Sequence, residues 1–85
     1  MPNSMKVYIH SQEKTLYEGT ADVVTLPAES GDISVLAYHV PLITSLKAGA
    51  IVVGSAREAE KRVFRILGGF AQIELDTVRV LVTKS

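Results

Sequence analysis

Residues 23–53 read VVTLPAESGDISVLAYHVPLITSLKAGAIVV. Short β-branched runs, Val23 to Leu26, Ile33 to Leu36, Leu42 to Leu46 and Ala50 to Val53, alternate with turn residues at Pro27, Glu29-Ser30-Gly31-Asp32 and Lys47-Ala48-Gly49. Runs this short, bounded by Gly, Pro, Ser and Asp, are strand signals. Pro27 has no N–H for a ladder and is expected to stop its strand. Gly31 takes φ > 0 freely, and Ser30 or Asp32 can bond its own backbone, so a turn is expected there. Ala50 to Val53 is almost wholly apolar and reads as buried on both faces. Between two strands, where a polar turn is the norm, stand Ala37, Tyr38, His39 and Val40. An apolar loop without chemistry suits a part fitted against another protein better than it suits an enzyme.

The flanking sequence continues the pattern. Met5, Val7 and Ile9 alternate with Lys6, Tyr8 and His10, a period of two. Gln12-Glu13-Lys14 is a polar turn, and Thr15 to Glu18 a short strand ended by Gly19. Arg62 to Leu67 is a strand with Phe64 and Ile66 on one side. Gly68-Gly69 marks a bulge or a corner where backbones pass closely. Phe70 to Leu75 places Ala71, Ile73 and Leu75 on one face, and Val78, Val80 and Val82 share a face after the Asp76-Thr77 turn. Residues 55–61 fit either a polar hairpin tip or a two-turn helix. Ser55 and Glu58 form a capping box and Glu58 and Arg62 an i,i+4 pair, whereas the neighbouring strands suit a hairpin. About nine to ten short strands at such spacing predict an all-β fold, an antiparallel β-sandwich or flattened barrel in one domain over residues 1–85. Two sheets are expected, because a single sheet would leave one apolar face wet.

Composition bounds the function. For 85 residues, surface scaling gives roughly 4,900 Å² folded against roughly 13,000 Å² unfolded, enough for one thin core. The chain has no Cys, so neither disulfides nor zinc–thiolate sites are available. Nine Lys and Arg balance nine Asp and Glu. That argues against nucleic acid as a partner and against a polybasic membrane patch. No apolar run approaches the ~20 residues of a membrane span, and the N-terminus lacks an apolar signal region. The expectation is a soluble cytosolic protein whose membrane link comes through a partner.

Candidate chemistry is thin. His39 as a general base needs an acid or nucleophile within reach, and the nearest carboxylate in sequence is Asp32. His10 points at solvent by its strand parity. Two histidines on separate strands do not make a metal site. Gly68-Gly69 lacks the surrounding residues of a phosphate loop. Glu29 and Asp32 share one exposed turn where nothing raises a carboxylate pKa, so they suit a partner's charges better than acid–base catalysis. No catalytic residue, cofactor or metal is expected.

Leu26-Pro27, Gly31-Asp32, Val35-Leu36, His39, Pro41-Leu42, Leu46-Lys47, Gly49 and Gly68-Gly69-Phe70 occur in an order and spacing that resembles the N-terminal domain of the F-type ATP synthase epsilon subunit. The likeness runs from about Lys6 to Val82. The opening Ser11-Gln12-Glu13 and Leu16-Tyr17-Glu18-Gly19 are similar to the family's Ser-Pro-Glu and Leu-Phe-Glu-Gly. The resemblance implies a ten-stranded β-sandwich without an active site. It implies a rotor part that links the gamma subunit to the c-ring of a proton- or sodium-translocating synthase and couples ion flow to ATP synthesis. It places the domain peripherally, at the cytoplasmic face of a bacterial inner membrane. It assigns Glu29, Ser30, Gly31 and Asp32 to the c-ring side, and Tyr38, His39, Val40, Thr44 and Ser11 to the gamma side. The family often continues into two C-terminal helices that brake hydrolysis and, in some members, bind ATP. If Ser85 is the natural end, that inhibition is absent and no nucleotide is expected. Three departures point to a divergent member: Ala37-Tyr38 for the family's Pro-Gly, Ser34 for a Gly, and Lys47-Ala48-Gly49 for Lys-Pro-Gly. Without the Gly, the turn at Tyr38 or its partner is expected to change. A different class of function is a free-standing β-sandwich adaptor that binds another protein through residues 37–42. A small enzyme using His39 would need a pocket around that residue.

Overall fold

A computed structural model describes residues 4–38, 40–55 and 61–83. The described elements are nine strands: β1 (Met5–Ser11), β2 (Thr15–Ala21), β3 (Val23–Ala28), β4 (Gly31–Leu36), β5 (Leu42–Leu46), β6 (Gly49–Gly54), β7 (Arg62–Ile66), β8 (Gly68–Ile73) and β9 (Thr77–Thr83). Period-two alternation decides which face each strand buries. β1 buries Met5, Val7 and Ile9 and exposes Lys6; β9 buries Val78, Val80 and Val82 and exposes Arg79 and Leu81.

The strands form one sheet in the order β2-β1-β9-β8-β5-β3-β6-β7, with β4 also paired to β3. It curls into two halves, β5-β8-β9-β1-β2 and β4-β3-β6-β7. They join through the Ala28↔Leu46 bridge between β3 and β5. Two backbone bonds reinforce that corner: Lys47 N–H donates to the Pro27 carbonyl at 2.8 Å, and Glu29 N–H to the Ser45 carbonyl at 3.0 Å. The far ends of the curl meet as well. Tyr17 of β2 and Phe64 of β7 pack edge-to-face with centroids 5.8 Å apart, and the Arg62 guanidinium lies over both rings. Val7, Ile9, Val24, Leu26, Ile51, Ile73 and Val78 fill the space between the halves. Each such burial stabilises by about 1.5–3 kcal/mol.

Several local expectations are corrected. The two layers are halves of one continuous curled sheet rather than separate sheets. One pair, β1 with β9, is parallel, which is possible because the whole intervening chain serves as the crossover. β3 does not stop at Pro27: Pro27 pairs in register with Asp32. Its carbonyl points toward Lys47, away from β4, so the missing N–H removes nothing from the β3–β4 ladder. β2 does not stop at Gly19. Gly19 pairs with Val7, and the Tyr17 ring covers it, with the hydroxyl 3.0 Å from where a Cβ would stand. β6 is buried on one face, at Ile51 and Val53, while Ala50 and Val52 are half-buried. Leu75 does not share the inward face of Ala71 and Ile73; it lies beyond the end of β8 and is exposed. The choice between helix and hairpin over 55–61 falls, at residues 56–60, outside the described residues.

Candidate functional site

The β3–β4 turn carries Glu29 and Ser30, both exposed, followed by half-buried Gly31 and exposed Asp32. Gly31 has φ +130° with nothing within 4 Å of a would-be Cβ, so it is there for the backbone conformation. The turn stands on a firm base, since the Glu29 N–H bond to β5 and the Ala28↔Leu46 bridge lie directly beneath it. Two carboxylates are thus held out from a fixed corner.

The second candidate surface lies at the other end of β4. Tyr38 and Val40 are 67% and 74% exposed, and Leu36 and Leu42 beside them are exposed too. His39 lies outside the described residues. Tyr38 adopts φ 65°, the left-handed region that costs a non-glycine residue about 1–2 kcal/mol. Tyr38 thus holds a conformation that a glycine enters freely. What holds it is its N–H, which donates to the Leu75 carbonyl in the β8–β9 turn. That turn is itself closed by Glu74 N–H to the Thr77 carbonyl and tied to β1 by Lys6 N–H to the Asp76 carbonyl, both at 2.8 Å. Leu75 was missed at the sequence level because it continues the alternation of Ala71 and Ile73.

Register separates the two surfaces. Gly31 pairs beside the Ala28↔Leu46 bridge and Leu36 pairs with Val23, so they are about 17 Å apart along β4 at ~3.3 Å per residue. Thr44, half-buried on β5, pairs with Ala71 between the two ends. Ser11 is not brought to Tyr38. It pairs with Val82, which pairs with Gly69, which pairs with Leu46, so it stands at the end that carries the acidic turn. Its hydroxyl organises the β1–β2 turn, bonding the Lys14 N–H at 3.2 Å and the Lys14 carbonyl at 3.3 Å. His10 is half-buried, stacks with Tyr8 at 6.3 Å and has Nδ1 3.1 Å from Thr15 Oγ1. Among the described residues no three His, Asp or Glu side chains converge as a metal site, and no helix is long and apolar enough to cross a membrane.

Comparison with known proteins agrees with this architecture. Residues 4–85 match the family model for the ATP synthase delta/epsilon chain β-sandwich domain. The chain is 35% identical over 79 residues to the ATP synthase epsilon chain of Nostoc sp., covering 93% of this chain and 58% of that one. It is 36% identical over 81 residues to the epsilon chain of Herminiimonas arsenicoxydans, covering 95% and 58%. The chain thus spans somewhat over half the length of the curated relatives it matches. A chain in the cryo-EM structure of the Euglena gracilis mitochondrial ATP synthase OSCP/F1/c-ring superimposes with a TM-score of 0.89 at 21% identity, covering 99% of this chain and 53% of that one. At that identity the likeness is one of fold.

Proposed function

Because the chain belongs to the ATP synthase delta/epsilon chain β-sandwich family, we propose that it is a non-catalytic rotor part of an F-type ATP synthase, linking the gamma subunit to the c-ring. The observation that carries this reading is the pair of exposed surfaces at opposite ends of one β3–β4 hairpin. A link between two partners needs two faces and stiffness between them. Here the faces are an acidic turn and an apolar loop, and the material between them is fully paired β-sheet. The acidic turn, Glu29, Ser30, Gly31 and Asp32, meets the c-ring. Tyr38, His39 and Val40 meet gamma, with Thr44 on the strand that leads from them. Ser11 reaches gamma only if that subunit extends along the sheet to the opposite end. The membrane is approached through the complex, at the cytoplasmic face of a bacterial inner membrane.

The dimensions suit the task. The folded surface is 5484 Å². A standard interface takes ~800 Å² from each partner, so two would cover roughly 30% of it. Covered in that way, Tyr38 and Val40 are ordinary interface anchors rather than a solubility liability. The test is titration of the purified chain against purified gamma. Tyr38→Ala weakens binding by more than about 1 kcal/mol while the circular dichroism of the fold is retained. Equal affinity of the variant and the unmodified chain would remove Tyr38 from the interface, and no measurable affinity in either would end the rotor reading.

A further inference from the structure

Resting on that reading, we propose that the β8–β9 turn is the second half of the gamma-facing surface, and that gamma meets it with an apolar patch flanked by basic side chains. The sequence offers only the 37–42 loop for this contact. The structure ties that loop to residues 74–76 through the Tyr38 N–H bond to the Leu75 carbonyl. Leu75, 53% exposed, thereby lies at the same end of the molecule as Leu36, Tyr38, Val40 and Leu42, which are exposed as well. Five large apolar side chains, four from residues 36–42 and one from the β8–β9 turn, are exposed at one end of the molecule. The stretch 36–42 is read from the sequence as a contact surface, whereas Leu75 is not. A patch built on two mutually bonded loops is pre-organised, which lowers the ordering cost of docking.

Charge sets the kind of partner. The side chains that border the patch on the Leu75 side are Glu74 and Asp76, both exposed, with Lys6 across the ladder from Thr77. Arg62 is in register three strands from Val35, through Val24 and Val53, about 14 Å away at ~4.8 Å per strand. It is folded over Tyr17 and Phe64. The near rim thus carries two carboxylates against one ammonium, and a basic rim on the partner complements that excess.

Leu75→Ala and Glu74→Lys separate the turn from the loop. Asp76 is a poorer probe because it accepts a hydrogen bond from the buried Thr77 Oγ1 at 3.0 Å and its carbonyl anchors Lys6, whereas the Glu74 side chain accepts, among the described residues, only from exposed Gln72 Nε2 at 3.2 Å. Binding of the full chain to purified gamma is followed by surface plasmon resonance at two salt concentrations. Leu75→Ala is expected to weaken binding at least about fivefold. Glu74→Lys is expected to slow association, with the deficit shrinking at high salt. Leu67→Ala, equally exposed but at the opposite end of β8, is expected to leave binding unchanged. If Leu75→Ala lowers the unfolding midpoint, Glu74→Lys carries the test alone. Should Val40→Ala weaken binding while both turn variants match the unmodified chain, the turn is not part of the surface and the rotor reading survives. Should the unmodified chain fail to bind gamma, both fall together.

Discussion

Gly69→Ala is the sharpest test of the packing described above. Gly69 has φ +148°, and a Cβ built on it would stand 2.2 Å from the Leu81 carbonyl oxygen and 2.9 Å from the Val82 Cα. Both are backbone atoms of β9, so no side chain can swing aside. Either β9 moves away by about an ångström, or Gly69 abandons its conformation and with it the Leu46↔Gly69↔Val82 row that runs to the β3–β5 corner. Backbone strain at such a φ costs about 1–3 kcal/mol, and forcing an extra carbon into packed structure about 1–3 more. The sum, about 2–6 kcal/mol, is a large share of the ~4–13 kcal/mol expected for a domain of this length. Two neighbours serve as controls. Gly31→Ala meets nothing within 4 Å and carries strain alone, whereas Gly68→Ala has its nearest contact at 3.4 Å, to the Leu46 carbonyl oxygen, an ordinary distance. Urea unfolding followed by circular dichroism gives the order: Gly69→Ala worst, Gly31→Ala intermediate, Gly68→Ala mildest. With a slope of about 1–1.5 kcal/mol/M for a small domain, Gly69→Ala lowers the midpoint by at least ~1.3 M. A Gly69→Ala protein no less stable than Gly31→Ala would refute the close approach of β8 to β9 at this point.

Other outcomes follow from the same geometry. Tyr38→Gly removes a left-handed penalty of about 1–2 kcal/mol and adds about 0.5–1 kcal/mol of chain entropy to be lost on folding. Its stability should therefore rise slightly, or hold, while its affinity for gamma falls; a fall in both would show that φ 65° is not strained here. A double-mutant cycle on Tyr17→Leu and Phe64→Leu should return a coupling of about 0.5–1.5 kcal/mol in urea unfolding, and additive effects would mean that the ends of the curl do not hold each other. Asp32→Lys should weaken association with isolated c-ring at low salt and much less at high salt. A salt-independent deficit would point to a distorted turn instead.

The alternation of small apolar residues made most strands legible, because a half-buried strand leaves a period of two that loops do not imitate. The breaks were misread where a tertiary partner overrode a local rule. Gly19 reads as a terminator until the Tyr17 ring covers it, and Pro27 reads as a stop until its carbonyl is seen to face β5. The acidic turn was legible, since Glu-Ser-Gly-Asp is a turn by its own chemistry. The apolar loop was visible as an anomaly, but its extent was not. Leu75 joins it through a bond between residues 37 positions apart, and nothing in either segment announces the other. Ser11, placed on the gamma side by likeness, lies by register at the end of the sheet that carries the acidic turn, a position its sequence neighbours do not announce.

The arrangement of β3 and β4 gives the proposed link its mechanical logic. The hairpin is anchored at its lower end by the Ala28↔Leu46 bridge to one half of the sheet, and at its upper end by the Val23, Val24 and Thr25 pairing with β6 in the other half. The direct path for a force entering at Glu29 or Asp32 and leaving at Tyr38 runs along this hairpin. A hinge would need a break in the ladder or a glycine between the ends. β4 has neither: its only glycine, Gly31, is at the terminus, and every residue from Gly31 to Leu36 pairs with β3. Bending the link therefore means separating paired backbone groups, which gives up the hydrogen bonds of the ladder. Hydrogen exchange can measure this directly. The β3–β4 amides that donate across the ladder should be protected close to the global unfolding free energy. If they instead exchange through a small local opening while β1 and β9 stay closed, the hairpin is a flexure, and a rigid coupling through it is excluded.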